Sequence, residues 1–208
     1  RAFGIPSIAD HYTQIASAIR GTIREKYWDA TRGLFADTYD HRSFSQHVNS
    51  LAILAGIVTG EEATRVMERT LNDSSLIQAT IYFRYYVHQA LKVAGMGDHL
   101  LDNLQIWRDQ MALGLTTWAE MPEPTRSDCH AWGASPNIEF FRILLGIDSN
   151  APGFKSIRIA PSLGDLKEVS GTMPHPVGSV TASYKLDKKG KLTARLILPT
   201  GTDGVFVW

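Results

Sequence analysis

The sequence predicts an α+β chain in two domains, an array of about three helical hairpins over residues 1–148 and a β-sheet domain over residues 149–208. Three observations carry that expectation. Up to about Gly146, apolar residues recur at three- and four-residue spacing, as in Ile8, Tyr12, Ile15, Ile19 and Ile23; such spacing lines one face of a helix. The helical segments alternate between charge-rich and charge-poor. From Pro152 onward the period drops to two, the mark of strands whose side chains point to opposite faces.

Six helical segments follow, at 7–27, 45–58, 61–72, 75–94, 99–113 and 130–145. The first, third and fifth carry charged stripes: Arg20, Arg24, Glu25 and Lys26, then Glu61, Glu62, Arg65, Glu68 and Arg69, then Asp102, Arg108 and Asp109. The second has no Asp, Glu, Lys or Arg, and the fourth has only Arg84 and Lys92 among Ile81, Tyr82, Phe83, Tyr85, Tyr86 and Val87. A helix apolar nearly all round is buried on most sides. The order is therefore outer, inner, outer, inner, outer, inner, the arrangement of a toroid of hairpins. Three hairpins would make half of a six-hairpin barrel. An irregular helical bundle fits the same periodicity.

Connections add an asymmetry. Inner-to-outer links are short (59–60 and 95–98), whereas two of the three outer-to-inner links are long (28–44 and 114–129). In an up-down array all outer-to-inner links lie on one rim, and long loops in compact domains usually serve function. The same rim exposes the first amides of the inner helices, which favour polar or anionic groups. A site is expected there.

Strands are expected at 155–161, 178–186, 191–199 and from 205. Val180, Ala182 and Tyr184 alternate with polar residues, as do Leu192, Ala194, Leu196 and Leu198, and Asp187–Gly190 supplies the turn of a hairpin between them.

Composition excludes several classes. The 208 residues are 44 % hydrophobic, enough for a packed core, and the formal net charge is zero. No basic face is available for nucleic acid or an anionic membrane. The longest strongly apolar run, 51–58, falls far short of the ~20 residues of a spanning helix. Cys129 is the single cysteine, so no intrachain disulfide forms. The seven histidines are scattered without metal-ligand spacing, and no metal or cofactor is expected. The chain opens without an initiator Met or a signal peptide and stops within its last strand, so it reads as a piece of a longer protein of open compartment.

The densest chemical cluster is the segment 114–132, which gathers Trp118, Glu120, Glu123, Arg126, Asp128, His130 and Trp132. Sugar chemistry uses this mixture: carboxylates activate water or protonate a leaving oxygen, flat rings cover the apolar faces of sugars, and His or Arg fixes hydroxyls. The plainer alternative has both tryptophans anchoring the loop and the charges solvated. In the other long loop, Asp37 and Asp40 suit either loop caps or sugar contacts. Gln46 and His47, at the start of the second segment, either face the cleft or are satisfied polar residues of a helix start.

Gly114-Leu-Thr-Thr-Trp-Ala-Glu120, followed by His130-Ala-Trp132, resembles the Gly-x-Thr-Thr-x-x-Glu…His segment of bacterial α-L-rhamnosidases, inverting glycoside hydrolases with an (α/α)6 barrel. Leu144-Leu-Gly-Ile-Asp, Pro152-Gly-Phe, Ile159-Ala-Pro and Gly171-Thr-Met-Pro-His-Pro-Val-Gly resemble that family's junction into a C-terminal β-sandwich. The resemblance implies the C-terminal half of the barrel followed by an antiparallel β-sandwich, a bacterial protein, periplasmic or secreted placement, and a rhamnose-containing glycoside or polysaccharide as substrate. It implies that Glu120 is the general base and that His130 contacts the sugar, with Trp118 and Trp132 as further sugar-facing rings; Asp37 is a candidate sugar contact by its place in the other long rim loop, with no motif behind it. The gap between Glu120 and His130 is shorter here than the family's usual one.

Inverting hydrolysis takes two carboxyl groups roughly 6.5–9.5 Å apart, and the family's acid lies in the first half of the barrel. The chain by itself is therefore expected to be inactive, with apolar flanks that two copies would cover by closing a ring as a homodimer. Rival readings are a carbohydrate-binding or accessory module, another helical-barrel glycosidase or polysaccharide lyase, and a purely structural helical protein. The base reading asks Glu120 to open toward a water-filled pocket; the structural one asks for it to be tied up in a salt bridge.

Overall fold

The computed structural model describes residues 3–122 and 124–208. The chain divides into two compact units, Arg1–Met96 and Gly97–Trp208. The change from helix to strand falls at Gly146–Ile147, where the period changes.

In the first unit, α1 (Pro6–Tyr27) starts on a proline, which suits a first-turn position with no amide to satisfy. Its apolar stripe forms as expected but stays in solvent: among the described residues α1 buries none, and Ile8, Tyr12, Ile15 and Ile19 are all exposed. A tight hairpin follows, β1 (Trp28–Asp29) against β2 (Leu34–Phe35), within a stretch expected to be loop. Gly33 closes its turn at φ +60, donating to the Asp29 carbonyl at 2.7 Å. Phe35 is fully buried. Its backbone finds a partner in a side chain: Asn49 accepts from the Phe35 amide at 2.8 Å and donates to the Phe35 carbonyl at 3.0 Å.

Asn49 lies on α2 (Gln46–Leu54), capped by the Ser45 hydroxyl and packed on α3 (Gly60–Asn72) and α4 (Ile81–Val93). Helix α2 ends four residues before the expected Val58, because Gly56 turns the chain at φ +67. On α3 the buried set Ala63, Val66, Met67 and Thr70 follows the helical spacing of the sequence, with the charged residues outward.

The fourth helix starts at Ile81 rather than residue 75, for an identifiable reason. Residues 76–79 are held outside the helix by α2. The Ile77 amide donates to the Phe44 carbonyl and its carbonyl accepts from the Gln46 amide, while the Gln46 carboxamide accepts from the Ala79 amide at 2.9 Å and donates to the Thr70 carbonyl at 3.1 Å. Gln46 is thereby a satisfied buried residue of a helix start.

In the second unit the fifth helical segment begins with 3₁₀ turns at Gly97–His99 and Leu101–Leu104, and only then becomes α5 (Gln105–Ala112). The sixth is broken. A 3₁₀ turn at Ala131–Ala134 leads to α6 (Pro136–Glu139) and a π turn at Phe140–Leu144. Trp107 on α5 is buried and donates its indole N–H to the Gly133 carbonyl at 2.7 Å, tying the two segments together.

Two three-stranded sheets follow. One has the order β3 (Ile147–Ser149), β4 (Ser156–Ile159), β8 (Asp203–Phe206); the other has β5 (Glu168–His175), β6 (Gly178–Leu186), β7 (Leu192–Ile197). Their buried faces share one core of Leu145, Ile147, Ile157, Ile159, Val180, Ala182 and Tyr184. The expected hairpin is present between β6 and β7, and its Asp187 side chain accepts from the Lys189 and Lys191 amides. An all-antiparallel arrangement was expected, but β8 runs parallel to β4, reached by a long connection that carries the whole second sheet. Tyr184 is fully buried and donates its hydroxyl to the Leu145 carbonyl at 2.8 Å. Burial pushes its phenol well above the ordinary range.

Candidate functional site

The segment after α5 folds back on itself. Gly114, at φ +81, ends the helix, and the buried Gln110 side chain accepts from the Ala119 amide at 3.0 Å, fixing the outgoing strand of the loop. The return strand is tied on by three bonds: the Glu120 amide to the Ser127 carbonyl at 2.9 Å, the His130 amide to the Trp118 carbonyl at 2.8 Å, and the Thr117 hydroxyl to the Asp128 carbonyl. This fold-back brings residues ten apart in sequence side by side.

Glu120, His130 and Trp132 are brought together. The Glu120 side chain is 10 % exposed, and its carboxylate lies 3.9 Å from His130 Nε2. The Trp132 ring packs on the His130 ring at 4.5 Å between centroids and is itself partly in solvent. Facing Glu120 from the tip of the loop is Arg126, whose Nε donates to one carboxylate oxygen at 2.8 Å while Nη2 donates to the other. A fork with both oxygens engaged is the strong form of this pair, and it is the salt bridge that the structural reading of the loop asks for. The Arg126 hydrogen bonds hold the Glu120 carboxyl below the usual carboxylate range, against a smaller upward push from burial. Sequence reasoning placed Arg126 in this cluster without a role; its six-residue separation from Glu120 becomes a contact only because the loop reverses.

Trp118 is placed differently. It lines an apolar cavity of about 340 Å³ with Leu104, Trp107, Met111, Pro136 and Phe140. It shares the loop with Glu120 through its backbone, while its ring belongs to that cavity's wall. Glu123 lies outside the described residues.

Asp37 sits in the first unit, where both of its oxygens are taken: Ser43 donates to one at 2.7 Å and Ser45 to the other at 2.5 Å. It caps the loop that leads into α2. His47, the second residue of that helix, is half-buried and packs on Phe83 at 4.3 Å between ring centroids; burial lowers its pKa, opposed by the Asp37 charge. In the same loop His41 faces two acceptors, the Lys26 carbonyl at 3.0 Å and Asp29 Oδ2 at 3.3 Å. The Lys26 carbonyl, then Asp29, raise its pKa. Among the described residues no group of three or more His, Cys, Asp or Glu is arranged to hold a metal, and no helix is long and apolar enough to cross a membrane.

Residues 146–207, which carry both three-stranded sheets, match the family described as bacterial alpha-L-rhamnosidase C-terminal domain. This segment is similar to rhamnosidase C-terminal domains. Similarity to solved rhamnosidases runs along nearly the whole chain. The GH78 family rhamnosidase of Bacillus sp. GL1 is 26 % identical, with a TM-score of 0.76 over 95 % of this chain and 24 % of that one. The alpha-L-rhamnosidase from Dictyoglumus thermophilum is 19 % identical, with a TM-score of 0.81 over 99 % of this chain and 24 % of that one. The Streptomyces avermitilis alpha-L-rhamnosidase, solved with L-rhamnose, is 15 % identical, with a TM-score of 0.68 over 95 % of this chain and 20 % of that one. The chain thus spans about a quarter of the length of these rhamnosidases. No curated protein matches the sequence.

Proposed function

We propose that this chain is part of an inverting glycoside hydrolase that removes terminal α-L-rhamnose, with Glu120 as the general base. The helical residues 1–148 serve as half of an (α/α)6 catalytic barrel, and residues 149–208 form a β-sandwich that caps it. The observation that carries the reading is the grouping of a nearly enclosed carboxylate, Glu120, with His130 and Trp132 on one reversed loop, in a chain whose C-terminal segment matches the rhamnosidase C-terminal domain family.

In this reading Glu120 takes a proton from water as the water attacks the anomeric carbon. His130 and Trp132 hold the sugar, one by hydrogen bonding and the other by its flat face, and Trp118 is a further sugar contact from the same loop. A second carboxyl group on the opposite side of the sugar protonates the leaving oxygen, and a longer polypeptide supplies it. Residues 1–208 alone are inactive, and two copies cover each other's apolar flanks by closing a ring, a reading that the exposed apolar stripe of α1 supports.

The test is the Glu120→Gln variant in a polypeptide long enough to hydrolyse an aryl α-L-rhamnoside. General base assistance is typically worth ~10²–10⁴ in rate, so kcat should fall by at least about a hundredfold while KM changes little. Turnover near that of the parent excludes Glu120 as the base.

A further inference from the structure

The two ends of the Glu120–Arg126 pair sit in very different surroundings. The carboxylate is 10 % exposed and the guanidinium 77 %. The carboxylate is fixed from below: its own backbone is bonded to Ser127, and the preceding Ala119 amide is held by Gln110. Arg126 stands near the loop tip between Thr125 and Ser127, whose hydroxyl and backbone groups bond each other. If the pair opens, the arginine moves. Its cost for doing so is small, because a solvent-facing guanidinium regains water and rotamer freedom.

The fork also conflicts with base chemistry. A guanidinium fork takes the inward-facing lone pair of each carboxylate oxygen, leaving only the two outward-facing pairs for a water, and its charge lowers the basicity of both oxygens. Among the described residues His130 also faces Glu120, with Nε2 at 3.9 Å from the carboxylate, too long for a hydrogen bond.

We propose that Arg126 is a positioning residue for Glu120: its fork holds both carboxylate oxygens while the site is empty and yields one of them to the incoming water or sugar hydroxyl. The inference rests on the reading of Glu120 as a base that meets a sugar. It adds that Glu120 is kept ionised and aimed by a removable cation, and gains basicity when that cation steps aside.

The experiment uses the 208-residue chain with the Glu120 carboxyl carbon observed by NMR, in the parent, R126K and R126M. The amide spectrum outside 114–132 checks that each variant folds. In the parent the carboxyl titrates below the usual range; R126M moves the midpoint upward, and R126K, which keeps the charge but loses the fork, lies between. Saturating L-rhamnose shifts the Glu120 carboxyl and the Arg126 Nε–H signals together in the parent. A midpoint unchanged in R126M, or an R126K titration matching the parent, overturns the proposal. So does L-rhamnose moving Glu120 while leaving Arg126 in place, or moving neither. A purely structural pair would lower the melting temperature alike in R126M and E120Q and leave the response to sugar intact. The base reading is judged separately, by the turnover of E120Q, so either can fail alone.

Discussion

Tyr184→Phe isolates one bond at the heart of the β core. The ring is fully buried among Ile147, Ile157, Ile159 and Val180, and the substitution leaves that packing in place. What it removes is the hydroxyl that donates to the Leu145 carbonyl at 2.8 Å, leaving a buried acceptor unsatisfied. Such a loss amounts to about 1–2 kcal/mol. Burial adds a pH signature. The folded phenol is held above the ordinary range near pH 10, so in alkali the unfolded chain ionises first. The contribution of the neutral hydroxyl is fully present below pH 10 and declines above it, by up to about 1.4 kcal/mol per pH unit. Parent and variant should therefore converge near about pH 11, where roughly one unit of that slope offsets the lost bond. Urea unfolding followed through the Val180 and Ala182 amides reports on this core. A difference below about 0.3 kcal/mol at neutral pH means the bond contributes nothing. A difference that stays constant up to pH 11 means the phenol ionises as freely folded as unfolded.

Two further outcomes follow from geometry already described. His41 faces two groups that can only accept, so both bonds exist together only in the imidazolium form. Its folded pKa is raised, so its stabilisation of the 28–44 loop is complete below the ordinary histidine value and fades as pH rises through the folded one. Amide exchange over residues 36–43 should quicken with pH beyond the intrinsic rate in the parent and not in H41Q; equal profiles would exclude His41 as the tether. At Gly146, φ is +68 and an added Cβ would fall 2.1 Å from the Ala160 carbonyl carbon, so G146A should lose at least about 2 kcal/mol of stability by urea unfolding. Gly95, at φ +74 with open space around it, is the control: G95A should lose only about 1 kcal/mol. Equal losses at the two positions would mean that backbone angle alone, and not the contact with Ala160, decides the cost.

Local patterns were legible where one residue's neighbours decide its state. The amphipathic α3 and the β6–β7 hairpin announce themselves through spacing and through the Asp187 turn. Strand β5 was hidden because Pro174 and Gly171 interrupt any apolar alternation; it tolerates the proline as an edge strand with one free side. The start of α4 was misplaced because two helix-competent residues, Ile77 and Ala79, are claimed by Gln46 and Phe44 from more than thirty positions away. The same holds at the site. Residue types along 114–132 marked the loop as chemical, and His130 and Trp132 do gather at Glu120. The Arg126 fork depends on where the loop reverses, which is set by hydrogen bonds between backbone groups common to every residue. The α1 stripe was read correctly as apolar, but spacing cannot say whether a partner is present to cover it.

The parallel ladder between β4 and β8 has a consequence for the order of assembly. Residues 156–159 must wait for residues 203–206, and the intervening stretch has to make its own sheet first. Joining distant strands carries a loop-closure penalty, and non-local pairing is intrinsically slow. Until it is made, the outer edge of β4 stands unpaired beside Ile157 and Ile159. A newly emerging chain would thus hold a sticky edge from the making of β4 until residues 203–206 arrive as the clasp that shuts it.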